Sequence, residues 1–255
     1  MTSQRQQIKI QSWNCSSIRN KILEFQDFIS EIDPDIIALQ ETRLAPAFHF
    51  NLANYTTHRT DRSTHAGGGT AVLIKNSIPH HSTPLQTTII KGTAITLERS
   101  HNSSITIVSA YKSPRKPLLT QDLQNLFSNR RDVLVTGDLN AKYHIWNPLG
   151  NNRQGKQLYE YAQKNNLKIT APTQPTRITH RFNNAIIDLC VSKGIDQITA
   201  ESIPALSSDH NPVLFTINID DLTRKSINAI HFTNWNKFQL QLKHLLPGNP
   251  KSLSY

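Results

Sequence analysis

The chain is punctuated by apolar runs that each deliver a polar group at or beside one end: IKIQSWN, DIIALQE, DVLVTGDLN, AIIDL, and SSDHNPVLF with its acid and histidine leading. Short continuous apolar runs bounded by turn residues are the pattern of strands buried on both faces, which occur where helices cover a sheet. The runs place Asn14, Glu41, Asp138, Asn140, Asp188, Asp209 and His210 where strands can bring them together. An ionised carboxylate beside a buried strand is costly unless a metal, a cation or hydrogen-bond donors compensate it. These acids, with two asparagines and a histidine, point to a site.

The spacing between the runs reads as α/β. Ile8 to Trp13 alternates like a strand, and Ile22, Phe25, Phe28, Ile29 and Ile32 recur at helical spacing until Asp33-Pro34 stops them. Ile36 to Leu39 is a buried-strand run ending at Glu41. From Tyr55 to Ala110, AVLIK, TTIIKGTAITLE and SITIVSAY are β-branched runs separated by Gly, Pro, Asn and Ser, which predicts an antiparallel block. Gly67-Gly68-Gly69 lacks the Lys-Ser/Thr pair of a phosphate loop and reads as the turn before AVLIK. Leu118 to Phe127 predicts a helix, Val133 to Val135 a strand, and Leu158, Tyr161 and Ala162 a further helix with Gly155 near its start. Strands are then expected at Ile186 to Val191, Ile198 to Ile203 and Val213 to Ile217.

A chain of 255 residues suits one large α/β domain or two small ones. With no linker before about Asp220, the expectation is one domain over 1–219. Residues 220–255 form a polar stretch and an amphipathic helix carrying Trp235, Phe238, Leu240 and Leu245. Lys plus Arg is 28 against 18 for Asp plus Glu, a formal net charge of +10 that favours a polyanionic partner. Cys15 and Cys190 alone offer neither a disulfide framework nor a zinc set, which fits a reducing compartment. The opening MTSQRQQ lacks the order of a signal peptide and no run reaches transmembrane length, so the chain is expected to be soluble and intracellular, with no membrane partner.

Several groups carry chemistry. Glu41, at the C-terminal end of a strand, suits a magnesium ion, which takes oxygen ligands and keeps several waters; an ordinary surface glutamate fits equally well. Asn14 adds a neutral oxygen ligand or a donor. In Gly137-Asp138-Leu139-Asn140, Asp138 can take a proton from an attacking water and Asn140 can donate to a phosphate oxygen, while an Asx turn is the alternative. In Ser208-Asp209-His210, an imidazole held by a carboxylate is driven toward its charged form, which suits a phosphate in its transition state. Asp188 can orient His210, or simply bond backbone amides. Tyr111, at the end of TIVSA, can reach a phosphate oxygen or cap the core. Lys112, Arg115, Lys116, Arg177 and Arg181 are candidates for phosphate contacts.

Taken in order, SWN, LQE, SAY, GDLN, IDL and SDHNP resemble the endonuclease/exonuclease/phosphatase superfamily from about Ile8 to Ile217. The segment GDLNAKYHIWNPLGNNRQGKQLYEYAQKNNL looks like the endonuclease domain of non-LTR (LINE-type) retrotransposons, especially the jockey and CR1-like groups. NWNKF looks like the connection toward their reverse transcriptase. The resemblance implies a four-layer α/β/β/α sandwich like that of deoxyribonuclease I, with two central, mostly antiparallel sheets flanked by helices. It implies Mg²⁺, with Mn²⁺ substituting, held by Glu41 with Asn14 and Asp209. Asp138 would activate the water, Asn140, Tyr111 and His210 would hold the scissile phosphate, and Asp188 would orient His210.

By the same resemblance the substrate is double-stranded DNA, nicked in the nucleus to leave a 3′ hydroxyl for a reverse transcriptase in the same polyprotein. Thr176 and Arg177, in TRITHRFNNA, fall where such enzymes carry a DNA-probing hairpin. Abasic-site enzymes usually carry WN-x-D-G, where this chain has Trp13-Asn14-Cys15-Ser16-Ser17, so a carboxylate and a turn glycine are missing. That departure argues against an abasic-site repair enzyme. A lipid phosphatase of the superfamily lacks support from any exposed apolar docking segment. An inactive relic that only tethers a reverse transcriptase to DNA is the remaining alternative.

Overall fold

The apolar runs become two six-stranded sheets packed face to face. The structure, a computed structural model, describes residues 6–61, 68–100, 103–179, 184–222, 224–225 and 234–245. The first sheet contains β1 (Gln6–Asn14), β2 (Ile36–Gln40), β3 (Tyr55–Thr60), β4 (Thr70–Lys75), β11 (Ile198–Ser202) and β12 (Val213–Ile219), in the order β11-β12-β1-β2-β4-β3. The second contains β5 (His80–Thr83), β6 (Lys91–Leu97), β7 (Ile105–Tyr111), β8 (Asp132–Asp138), β9 (Lys168–Thr170) and β10 (Asp188–Lys193), in the order β5-β6-β7-β8-β10-β9. Each sheet has one parallel pair, β1 with β2 and β7 with β8, and is otherwise antiparallel.

Helices bridge both parallel pairs: α1 (Ile22–Ile32) joins β1 to β2, and α2 (Thr120–Phe127) joins β7 to β8. α3 (Arg153–Lys164) lies beside α2 on the second sheet, and α4 (Trp235–Leu245) follows the sheets in the chain. Asp33 ends α1 in the left-handed region at φ 47°, its N–H bonded to Ile29 O. Ile8, Ile10, Ile36 and Val72 meet Ile95, Ile107 and Leu134 between the sheets. Phe25, Phe28 and Ile29 of α1 cover Trp13, Ile37 and Leu39, while Leu123 and Phe127 of α2 and Leu158 of α3 cover Val108, Val135 and Leu189. Each fully buried large apolar side chain contributes roughly 1.5–3 kcal/mol of transfer free energy. Both faces of the central strands are buried, hence runs rather than alternation in the sequence.

Two sequence expectations change. TTIIKGTAITLE does not form one strand: β6 begins at Lys91, because the buried Asp122 of α2 accepts the N–H groups of Thr88, Ile89 and Ile90 and bends that segment away from the ladder. Ile186 and Ile187 precede β10, which begins at Asp188. The expected turn at Gly67-Gly68-Gly69 lies partly outside the described residues; Gly68 and Gly69, at φ 74° and 86°, accept through their carbonyls the N–H groups of Arg43 and Thr42.

The register gathers the polar strand ends on one edge of the sandwich. Asn14 lies opposite Gln40, the residue before Glu41, while Tyr111 and Asp188 both lie opposite Asp138. The sheets approach closely there. Gln40 donates to Ser12 Oγ (3.3 Å) and Ser109 Oγ (3.0 Å), and Ser109 Oγ donates to Leu39 O across the sandwich (2.8 Å). Gly137, at φ 140°, permits this approach, since a Cβ there would lie 2.1 Å from Ala110 O and 2.9 Å from Gln40.

Candidate active site

Asp138 sits at the centre, buried at the end of β8. Its Oδ1 accepts the backbone N–H of Asn140 (3.0 Å) and the Asn140 side-chain amide (2.7 Å), and its Oδ2 accepts Asn14 Nδ2 (2.9 Å). Asn140 can turn its amide back because its backbone is left-handed, at φ 48°, and the same Nδ2 also reaches Lys112 O (3.1 Å). Burial pushes the Asp138 carboxyl well up from its ordinary range; the charge of His210 opposes the rise and that of Asp188 adds to it.

His210 enters from the loop before β12. Trp13 Nε1 donates to His210 O (3.0 Å) and Ser208 Oγ donates to Asn14 O (2.8 Å), which ties the loop to β1. His210 Nδ1 lies 2.8 Å from Asp188 Oδ2, and Nε2 lies 3.8 Å from Asp138 Oδ2. The second distance exceeds a hydrogen bond, so Nε2 can donate to an oxygen placed beside both groups. Burial alone would lower the imidazole value, but Asp188, then Asp138 and Asp209, raise it to about 9. The ring is therefore a buried cation at neutral pH.

Glu41 stands at the solvent side, left-handed at φ 50°. Asn14 Nδ2 donates to its Oε1 (3.1 Å) and Arg43 Nη2 to its Oε2 (3.0 Å). Burial would raise this carboxyl, and Asn14, then Arg43 and the nearby Tyr111 hydroxyl, hold it below the ordinary range. Burial and the charges of Glu41 and Asp138 raise the Tyr111 phenol, so it stays protonated. Left-handed non-glycine residues at both Glu41 and Asn140 store strain of about 1–3 kcal/mol each, a cost that clusters at functional sites.

The remaining candidates divide. Asn14, expected as an oxygen ligand or a donor, meets both carboxylates with its NH₂, while its Oδ1 accepts the N–H of Ser16 (3.2 Å). Asp209, expected to hold metal, is exposed and turned to Arg177 Nε (3.1 Å); it reaches the site only as a charge near His210. Thr176, expected to touch DNA, is fully buried: its hydroxyl donates to Asp188 Oδ2 (2.6 Å) and accepts the N–H groups of Ile187 and Asp188. It fixes the carboxylate that holds His210. Lys112 is also fully buried, its ammonium donating to Ser113 O and Lys116 O, so it presents no charge to a strand. Arg115 and Lys116 are exposed, and Arg177 is partly so. Arg181 lies outside the described residues.

Sequence reasoning passed over Arg43 and Thr176's supporting role, and also Asn152, whose position three residues before Gly155 is a readable helix cap. Among the described residues no three His, Cys, Asp or Glu side chains converge to hold a metal by themselves. The site offers a cation oxygen alone: the half-buried Glu41 carboxylate, with Asp138 linked to it through Asn14. One or two carboxylates, waters and a substrate phosphate are what magnesium takes, so the donor set fits that ion.

A family model described as Endonuclease/Exonuclease/phosphatase family matches residues 12–210. A probable RNA-directed DNA polymerase from transposon X-element of Drosophila melanogaster is 27% identical over 252 residues, covering 95% of this chain and 28% of that protein. The RNA-directed DNA polymerase from mobile element jockey of the same organism is 24% identical over 255 residues, covering 96% and 28%. The chain thus spans 28% of the length of these relatives. Among solved structures, the endonuclease domain of TRAS1, a telomere-specific non-LTR retrotransposon, aligns with a TM-score of 0.68 at 20% identity over 83% of this chain and 98% of that one. The AP endonuclease LMAP from Leishmania major aligns with a TM-score of 0.60 at 16% identity, covering 84% and 88%.

Proposed function

The chain belongs to the endonuclease/exonuclease/phosphatase family, and from that premise we propose that it is a Mg²⁺-dependent endonuclease that nicks double-stranded DNA for a non-LTR retrotransposon. The observation that carries this reading is the buried Asp138, His210, Asp188 cluster beside Glu41, in a chain whose relatives are transposon RNA-directed DNA polymerases. The 3′ hydroxyl left by the nick would prime a reverse transcriptase in the same polyprotein, acting on chromosomal DNA in the nucleus. The net charge of +10 supports a polyanionic substrate.

Glu41 would hold the metal, with Asn14 and Tyr111 fixing the direction of its carboxylate. Bound there, Mg²⁺ supplies charge stabilisation to the scissile phosphate. Asp138, with its carboxylate oriented by Asn14 and Asn140, accepts the proton of the attacking water. A carboxyl raised by burial is a stronger base than a solvated one. His210, cationic and aimed by Asp188, donates from Nε2 to a phosphoryl oxygen as negative charge develops.

Supercoiled plasmid incubated with Mg²⁺ should convert to open circles whose 3′ ends a DNA polymerase extends, and the Asp138→Ala and His210→Ala variants should leave it closed. Plasmid that stays closed with wild-type protein in both Mg²⁺ and Mn²⁺ would refute the reading. A strong preference for an abasic duplex over an intact one would replace it with repair.

A further inference from the structure

Asn140 has a left-handed backbone at φ 48°, a region asparagine enters readily, and it is held there from two sides. On one side stands Asp138, which accepts two of its N–H groups. On the other stands Asn152, twelve positions along the chain, whose Nδ2 donates to Asn140 O at 2.9 Å. Asn152 is also the N-cap of α3: its Oδ1 accepts the N–H of Gly155 (2.7 Å) and that of Lys142 (3.0 Å). Its own N–H returns to Lys142 O at 2.9 Å. The helix start is pressed so close that a Cβ on Gly155 would lie 1.9 Å from Lys142 O. The intervening loop is pinned at a further point, where the buried Asn147 accepts the N–H of Ile186 through Oδ1 (2.9 Å). One side-chain amide therefore joins the cap of a helix to the carbonyl of the residue that orients Asp138.

We propose that Asn152 is a positioning residue for the nicking reaction: by holding the Asn140 carbonyl it sets the direction in which Asn140 presents its amide to Asp138. The two halves of the amide do separate work. The oxygen caps α3, and Ser or Asp can replace it there at little cost. The NH₂ holds Asn140, and neither Ser nor Asp supplies it in that geometry. This inference rests on the nuclease reading for its kinetics and on the fold alone for its geometry.

The experiment compares Asn152→Asp and Asn152→Ser with wild type. Both should melt within a few degrees of wild type and bind a duplex oligonucleotide in EDTA with affinity within about twofold. Their nicking kcat should fall by about ten- to a hundredfold, the scale of a displacement of about 1 Å in a reacting group. In the Asn140→Ala background, Asn152→Asp should cause little further loss, because Asn152 acts through Asn140. The Asn140 side-chain amide signals in a ¹H–¹⁵N spectrum should shift in Asn152→Asp, a readout independent of catalysis. Wild-type kcat in folded Asn152→Asp, full additivity with Asn140→Ala, or unmoved Asn140 amide signals would each overturn the proposal. If wild-type protein itself fails to nick, the nuclease reading falls, and the amide signals still decide whether Asn152 holds Asn140.

Discussion

Replacing Asp188 by Asn removes one charge and leaves the shape of the site almost unchanged; it acts most directly on His210, and it also removes a charge that raises Asp138. In the structure the imidazole is raised from 6.5 to about 9, against the pull of burial, with Asp188 Oδ2 2.8 Å from Nδ1 as the leading opposing cause. At about 1.4 kcal/mol per tenfold in proton affinity, that rise favours the cation by about 3 kcal/mol. With its leading support gone in Asp188→Asn, burial should outweigh the remaining pull of Asp138 and Asp209 and leave the ring neutral at pH 7. Nicking at pH 7 should then fall by about a hundredfold, the same energy expressed as a rate.

The sign also fixes the stability profile. A group with a raised native pKa contributes its full stabilisation below the unfolded value of 6.5 and loses it as pH rises through about 9. The stability difference between wild type and Asp188→Asn, from urea denaturation, should therefore shrink by about 3 kcal/mol between about pH 6 and about pH 10. His210 in the variant should titrate below 6.5 by NMR. An imidazole still titrating near 9 in Asp188→Asn would refute the assignment of the charge to Asp188.

Three further outcomes follow from single observations. Ser17 has a left-handed backbone at φ 88°, so Ser17→Gly should stabilise the fold by about 1 kcal/mol in denaturant titration without loss of nicking. Gly137→Ala, whose Cβ would strike Ala110 O on the paired strand β7 and Gln40 of the facing sheet, should give little folded protein by circular dichroism, and a wild-type melting curve would contradict this crowding. Arg177→Gln should weaken DNA binding and lower the slope of log affinity against log salt by about 1, and an unchanged slope in a salt titration would remove Arg177 from the phosphate contacts.

The architecture was readable because burial on both faces turns central strands into apolar runs, and the candidate site residues stand where those runs stop. DVLVTGD and AIIDL announce β8 and β10 and carry Asp138 and Asp188 with them. The short edge strands β5 and β9, HHST and KIT, bury too little to leave a pattern. Side-chain direction was equally hidden. Lys112 and Thr176 look like solvent-facing polar residues in sequence, yet backbone carbonyls claim the ammonium of one, and a buried carboxylate and two amides claim the hydroxyl of the other. TTII shows the converse error: its β-branched residues favour a strand, and a single distant carboxylate overrules them.

The pairing of β1 with β12 sets a schedule for synthesis on the ribosome. β1 emerges early, but its antiparallel partner and the loop bearing His210 are translated only after every other strand, and Trp13 waits for His210 across a separation of 197 positions. Until that strand clears the exit tunnel, Asn14, Glu41 and Asp138 stand without the imidazole. On the proposed reading, a chain released before β12 should leave supercoiled plasmid closed.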